Sequence, residues 1–320
     1  MIAPQIRVRV RDVEEVARRV KRFRLEPADG GALPAFSGGA HVTVSMPAGG
    51  ARPLKNPYSL TGAPGETAFY EIGVEKVEGG RGGSAFMHEA VRPGTELFIA
   101  PPANLFPLVA RARKHLFVAG GIGITPFLAM AAQAAARGDR FELHYAARTS
   151  DDCAFADLLM QRYGGAVHFY HSDRGARLDL AALVAHQPLG THLYVCGPER
   201  LITATLDAGR CAGWPEQHLH AEHFASPPSG DPFDIRIAGS DRIVPVAADQ
   251  SMLEALEAAG LAPRYLCRGG ACGECETAVV ACDGTLEHHD HFLSDADKAA
   301  GKKVMICISR LKGREVTLVV

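Results

Sequence analysis

Four cysteines near the C-terminal end, Cys267, Cys272, Cys275 and Cys307, are spaced C-x4-C-x2-C-x31-C. Thiolates in this pattern suit an iron–sulfur cluster. Three close ligands on one loop can wrap one side of a two-iron rhomb, and a distant fourth closes the other. The loop filling, Arg268-Gly269-Gly270-Ala271 and Gly273, has almost no bulk, so backbone N–H groups can turn toward sulfur and stabilise negative charge. Tetrahedral zinc is the alternative for four cysteines, but zinc sites usually pair two short C-x2-C knuckles, which this spacing lacks. Cys153, Cys196 and Cys211 lie far apart, and Cys282 falls outside the spacing, where it reads as a small buried hydrophobe. His288, His289 and His291 around Asp290 read as a polar loop rather than as metal ligands.

Glycines form the second chemical signal. In HLFVAGGIGITPFLAMAAQAAARG (115–138) a hydrophobic strand, a glycine turn and an alanine-rich helix follow one another. Gly120, Gly121 and Gly123 remove side chains where a pyrophosphate must approach backbone, and the helix offers its N-terminus to that charge. The run is GGIGITP and not G-x-G-x-x-G, so the ordinary dinucleotide fingerprint is absent. A further glycine loop, GGRGGS (79–84), would present the N–H groups of Gly82, Gly83 and Ser84 beside Arg81, either as an anion-binding nest or as a flexible turn.

Three kinds of element must position these residues. Over 1–105, short alternating runs punctuated by glycine and proline indicate a small antiparallel β-barrel; the helix-prone VEEVARRVKRFRLEP is read as a strand from Val20 to Leu25. Over 106–226, strand-like FELHYAART and VHFYHSD alternate with helix-like FADLLMQRYG and with HLYVCGPERLITATLDA, a doubly wound α/β pattern with ligand at the strand carboxyl ends. ASPPSGDP (225–232) reads as a linker. Over 233–320, FDIRIAGSDRIVPV reads as a β-hairpin and SMLEALEAAGLAP as an amphipathic helix of about ten residues with Leu253, Leu256 and Leu261 apolar.

CRGGACGECET (267–277) and MICISR (305–310) resemble plant-type ferredoxins, particularly those fused to flavin reductases, and imply an α+β (β-grasp) domain. GGIGITP followed by Cys196-Gly197-Pro198 resembles the ferredoxin–NADP reductase superfamily. The resemblance implies that Gly120, Gly121, Gly123, Thr125 and Pro126 cradle the nicotinamide end of the cofactor, with Cys196, Gly197 and Pro198 beside the ring; a buried apolar role is the alternative for Cys196. Asn56-Pro57-Tyr58-Ser59-Leu60 resembles the R-x-Y-S-[LT] flavin motif of the same superfamily, with Asn56 in the place of the phosphate-binding arginine. Lys55 or Arg52 could supply the missing charge. The whole order of parts, including Glu222-His223-Phe224 at the second boundary, resembles the phthalate dioxygenase reductase family. That family implies FMN, with FAD as the alternative, and Phe224 either stacked near the flavin or plugging a domain interface. NADPH would need a cation such as Arg148 or Arg174, whereas His171-Ser172-Asp173 puts an acid near the ribose and favours NADH.

The expected activity is an oxidoreductase taking electrons from NADH through flavin to a [2Fe–2S] cluster. Flavin accepts two electrons and releases one at a time, as the cluster requires, and no side chain need act as acid or base. The family implies a Rieske-type oxygenase or demethylase as partner near the ferredoxin domain. A heme or di-iron monooxygenase is compatible, and a self-contained flavin or quinone reductase is the rival. Net charge is −2, which gives no support for nucleic-acid binding. Residues 233–320 carry 13 acids and 10 bases, against 23 acids and 24 bases elsewhere, so the ferredoxin part is the mildly acidic one. No apolar run reaches the ~18 residues that span a bilayer, and MIAPQIRVRVRDVEEVARRV lacks a signal-peptide apolar region, so a cytoplasmic location is expected.

Overall fold

The computed structural model describes residues 5–47 and 53–320 and divides at 223/224 into two compact units. The first unit holds two sheets. Strands β1 (Ile6–Ala17), β2 (Val20–Pro27), β3 (Ala40–Met46), β4 (Leu54–Ser59) and β5 (Tyr70–Glu75) are followed by helix α1 (Gly83–Glu89), β6 (Glu96–Ile99) and β7 (Ala103–Asn104). They form an antiparallel sheet in the order β4-β3-β6-β1-β2-β5, with β7 added to β3. The sheet is barrel-like: its two ends meet at one antiparallel bridge, Leu60 to Ile72, beside the Thr61 N–H donating to the Glu71 carbonyl at 2.9 Å. Strand pairing overrides helical propensity here. Along β1 and β2, Val8, Val10, Phe23 and Leu25 are buried, while Arg22 on the other face pairs with Asp12, Glu14 and Glu71. Helix α1, which begins inside the GGRGGS run at Gly83, was not legible as a helix in the sequence.

The second sheet comprises β8 (Lys114–Gly120), α2 (Thr125–Arg137), β9 (Phe141–Ala147), α3 (Ala156–Tyr163), β10 (Val167–His171), α4 (Leu180–Ala185), β11 (Thr191–Cys196), α5 (Glu199–Cys211) and β12 (Leu219–Glu222). All five strands are parallel in the order β10-β9-β8-β11-β12. Every residue of β8 and β11 is buried, as expected for strands covered on both faces. The chain runs outward from β8 through β9 to β10, then returns to β11. The order therefore switches between β8 and β11, and a ligand belongs at their carboxyl ends, Gly120 and Cys196.

The second unit contains β13 (Phe233–Ile237), β14 (Ile243–Val246), α6 (Met252–Ala258), β15 (Glu276–Cys282), β16 (Thr285–Glu287), α7 (Asp295–Ala300), β17 (Lys303–Met305), β18 (Arg310–Lys312) and β19 (Glu315–Val319). A mixed sheet β14-β13-β19-β15-β17 packs on α6, the β-grasp arrangement, and β16 pairs with β18 separately. Helix α6 is seven residues long, shorter than the expected ten, because Ser251 and Glu254 form a capping box at its start and the chain turns at Ala259-Gly260. The linker reading holds only in part. Gly230 N–H donates to the Ala248 carbonyl (2.9 Å), and the buried Arg310 guanidinium donates to the carbonyls of Asp231 (2.9 Å) and Gln250 (2.6 Å), which pins 230–231 to the second unit. Cys282, expected to be buried, is exposed and donates to the Gly284 carbonyl. Asp290, expected in a polar loop, has a fully buried side chain. Among the described residues no helix is long and apolar enough to cross a membrane.

Histidines cluster at the amino ends of β11 and β12. His192 Nδ1 lies 3.0 Å from His220 Nε2, and its ring stacks 4.1 Å from that of His218. Burial and the neighbouring imidazoles push His192 and His220 down to about 4. The unfolded chain therefore binds more protons between about 4 and the ordinary 6.5, and stability falls as pH drops through that window. Urea midpoints measured from pH 7 to pH 4 should decline, and His192→Gln with His220→Gln should flatten the decline.

Candidate functional site

The nucleotide turn is built by two backbones that meet without side chains between them. Parallel pairing of β8 with β11 sets Cys196 opposite Ala119, so the Gly120–Ile124 turn and the Cys196–Pro198 turn leave the sheet together. A Cβ on Gly123 would lie 2.3 Å from the Cys196 carbonyl oxygen, and one on Gly120 2.8 Å from Pro198 Cδ. Only glycine permits this approach. Thr125 opens α2 with its hydroxyl donating to the Ile122 carbonyl (2.9 Å), and Pro126 occupies the first helical turn, where its missing N–H costs nothing.

Cys196 is fully buried, and its thiol is pushed well above the ordinary range by burial and by Glu222. It is an uncharged wall of the site, not a thiolate. Glu222 stands beside it in the β11–β12 ladder, and burial pushes its carboxyl up to about 8. Glu222 Oε2 has no hydrogen-bond partner among the described residues. The upward shift favours the protonated carboxyl, which can donate a hydrogen bond. In the sequence it stood out only as part of a boundary tripeptide. His171-Ser172-Asp173 ends β10, and the Asp173 N–H donates to the Arg148 carbonyl at 3.0 Å, which brings together two residues considered for the ribose.

The Asn56–Leu60 run lies on the other side of a short strand segment. Tyr58 and Ser59 end β4, Leu60 is fully buried and bridges to Ile72, and the next residue on β5 is Gly73. A Cβ on Gly73 would meet Thr125 Cγ2 at 2.9 Å and the Phe155 ring at 3.2 Å. The barrel-like sheet and the nucleotide turn therefore touch beside Ser59. Gly73 gave one readable signal, a lone glycine inside a strand, which often marks close backbone approach. Asn56 Nδ2 donates to Tyr58 Oη at 3.2 Å and packs against Gly83, where a Cβ would lie 2.4 Å away. The Asn56 motif and the Arg81-Gly82-Gly83-Ser84 loop are thus one place in space. Ser84 Oγ accepts from the Val77 N–H (3.1 Å), and Gly82 adopts φ 93° at the start of α1. Burial pushes the Tyr58 hydroxyl up to about 12, so it stays protonated. Arg52 lies outside the described residues. Phe224, the first residue of the second unit, is 48% exposed.

In the second unit, pairing of Glu276 with Met305 draws Cys275 at the head of β15 toward Cys307 beyond β17. The Cys267 sulfur neighbours those of Cys272 and Cys307, and the Cys275 sulfur neighbours that of Cys307. Those contacts hold the Cys267 thiol far below its ordinary range and push Cys307 far above it. The N–H groups of Gly269 and Ala271 both donate to Cys267 Sγ at 3.4 Å. The backbone is left-handed at Arg268 (φ 54°), Gly270 (φ 75°) and Gly273 (φ 79°), which turns those donors inward. A Cβ on Gly273 would lie 2.3 Å from the Phe292 ring. Four converging sulfurs, inward N–H donors and a loop with no room for bulk fit a thiolate-ligated two-iron cluster.

Known proteins carry the same features. Residues 235–312 match the model of the 2Fe-2S iron-sulfur cluster binding domain, and residues 100–219 that of the dimethylamine monooxygenase subunit DmmA-like N-terminal domain. The chain is 42% identical over 308 residues to the carnitine monooxygenase reductase subunit of Acinetobacter baumannii, covering 96% of this chain and 95% of that protein. It is 42% identical over 311 residues to the heme-dependent oxidative N-demethylase beta subunit of Ectopseudomonas mendocina, covering 97% of each. The solved structure of phthalate dioxygenase reductase, described as a modular structure for electron transfer from pyridine nucleotides to [2Fe-2S], superposes with a TM-score of 0.88 at 33% identity, over 99% of this chain and 98% of that one. Fold and site thus define an oxidoreductase with a flavin- and pyridine-nucleotide-binding reductase unit and a [2Fe–2S] domain. The chain belongs to the phthalate dioxygenase reductase-like family of oxygenase reductase components.

Gly123→Ala should force the two turns apart. Flavin reduction by NADH, followed by stopped flow, should slow by on the order of 100-fold, since ~1 Å of misplacement can cost that much. Iron and flavin contents should stay at wild-type values.

Proposed function

We propose that this chain transfers electrons from NADH, by way of bound FMN, to its [2Fe–2S] centre and on to a terminal oxygenase that docks near the ferredoxin domain, a Rieske-type oxygenase or demethylase. The observation that carries the reading is the convergence of Cys267, Cys272, Cys275 and Cys307 in a chain whose other unit packs a glycine-turn helix start against Gly73, next to the strand end that carries Tyr58–Leu60. Flavin supplies conversion of a hydride's two electrons into single electrons when bound. The parts divide as 1–105 for flavin, 106–226 for NADH and 233–320 for the cluster. Separate buried cores around Val42, Phe127 and Leu256 support that division.

The residues have distinct tasks. Tyr58 and Ser59 hold the isoalloxazine by hydrogen bonds, with Leu60 anchoring the end of β4. Asn56 is a neutral brace for Tyr58, so phosphate charge falls to Lys55, Arg81 and the N–H groups of Gly82, Gly83 and Ser84. Gly120, Gly121 and Gly123 leave room for the cofactor backbone at the start of α2. Thr125 and Pro126 shape that start. Cys196, Gly197 and Pro198 floor the nicotinamide pocket, and Glu222 offers it a hydrogen-bond donor. Asp173 favours NADH over NADPH through the ribose hydroxyls.

A second acceptor class has a specific basis. The N-demethylase relative named above is heme-dependent, and the 100–219 match is to a dimethylamine monooxygenase subunit. A heme-dependent amine-oxidising partner is thus the alternative acceptor.

Anaerobic NADH titration of the purified protein should bleach flavin and cluster absorbance together, with about one flavin and two irons per chain. The released flavin should chromatograph as FMN. Flavin without iron would sink the electron path, and FAD would overturn the phosphate assignment. Mixing the reduced protein with a Rieske oxygenase and with a heme oxygenase should give faster reoxidation by the former; the reverse order would select the heme class.

A further inference from the structure

In a loop otherwise filled by glycine and alanine, Arg268 is a bulky exception. It follows Cys267 directly and takes a left-handed backbone, φ 54°, which disfavours any residue except glycine. Its side chain is only 5% exposed. The guanidinium pairs with Glu257 in the last turn of α6 and stacks 4.0 Å over the Tyr265 ring. Arg268 also sits where the chain reverses to point the Gly269 and Ala271 N–H groups at Cys267 Sγ. Glycine would adopt this conformation without strain, so ease of turning does not explain an arginine here.

We propose that Arg268, held by Glu257 and Tyr265, is a positioning residue that locks the cysteine loop onto α6, keeping the Gly269 and Ala271 N–H groups on the Cys267 sulfur and thereby raising the cluster's reduction potential. The proposal rests on the [2Fe–2S] reading and concerns this chain's own residues around it. Hydrogen bonds to cluster sulfur stabilise the more negative, reduced state, so loosening them lowers the potential. Removing either partner of a buried ion pair frees the other to seek water, and the loop leaves α6 in both cases.

This reading differs in sign from a purely electrostatic one. A nearby positive charge raises a potential and a negative charge lowers it. If the two groups acted only through their charges, Arg268→Gly would lower the potential and Glu257→Gln would raise it. If they act by holding the loop, both lower it, and the double variant matches either single one. Arg268→Gly is also the variant that relieves backbone strain, so a passenger arginine predicts unchanged or improved cluster retention.

The test begins with the wild-type full-length protein, reconstituted anaerobically with iron and sulfide and measured for iron, flavin and the reduced-cluster EPR signal. No cluster in wild type overturns the [2Fe–2S] reading itself. With the cluster present, the potentials of Arg268→Gly, Glu257→Gln, the double variant and Arg268→Lys are measured by EPR-monitored titration, and cluster loss to an iron chelator is timed. Expected are potentials shifted the same way, to more negative values, in both single variants, no further shift in the double, and cluster loss roughly 10–100-fold faster. Arg268→Lys should fall between, because lysine keeps the charge but not the planar fork. Opposite shifts, or wild-type potentials and retention in both single variants, would overturn the proposal. Flavin content reports that the other unit of each variant is intact, and far-UV circular dichroism of the full chain reports that the variant has folded. Should Arg268→Gly fail to take up iron, Glu257→Gln decides alone by the sign of its shift.

Discussion

Everything in the reductase unit depends on two glycine-bearing backbones that touch at the carboxyl ends of β8 and β11. The sheet switches direction between these strands, which leaves a crevice there whatever the side chains are. What makes it a specific crevice is that nothing larger than hydrogen stands between Gly123 and the Cys196 carbonyl. The contact fixes the depth of the floor. Beside it, burial pushes both the Cys196 thiol and the Glu222 carboxyl upward, which disfavours negative charge at these strand ends. Gly73 repeats the device on the other wall, where β5 meets Thr125 and Phe155.

The second unit solves an opposite problem. Four neighbouring thiols cannot all ionise without compensation. The loop answers with inward N–H groups, alternating left-handed residues and a guanidinium neutralised by Glu257. A left-handed arginine costs about 1–2 kcal/mol in local conformation, and a buried ion pair adds little net stability. Both features make sense as geometry held for the sulfurs. Phe292 against Gly273, and the buried Asp290 accepting from the Leu293 N–H at 2.8 Å, brace the same loop from the far side.

The two units ask different things of polar groups. In the reductase unit, the closest approaches are between backbones. In the ferredoxin unit, buried charge is held by hydrogen bonds, as with Arg310, whose guanidinium reaches the Gln250 and Asp231 carbonyls.

From the sequence alone, the ferredoxin-type cysteine spacing, the parallel α/β pattern and the two glycine turns were legible. Each is written in residue types that have few other uses: cysteines at ligand spacing, glycines where backbone must approach, valines and leucines in strand periods. Tertiary structure alone decided which of these meet. That Asn56 packs on Gly83, that Gly73 touches Thr125, that Glu222 pairs beside Cys196, and that Arg268 pairs with Glu257 are contacts between distant or unpatterned residues. No local period encodes them. A carboxylate such as Glu222 reads as surface until the fold removes its water, and an arginine in a glycine loop reads as solvated until a helix presents its partner. Burial is a property of the packed chain, and it is burial that turned ordinary polar residues into parts of the site.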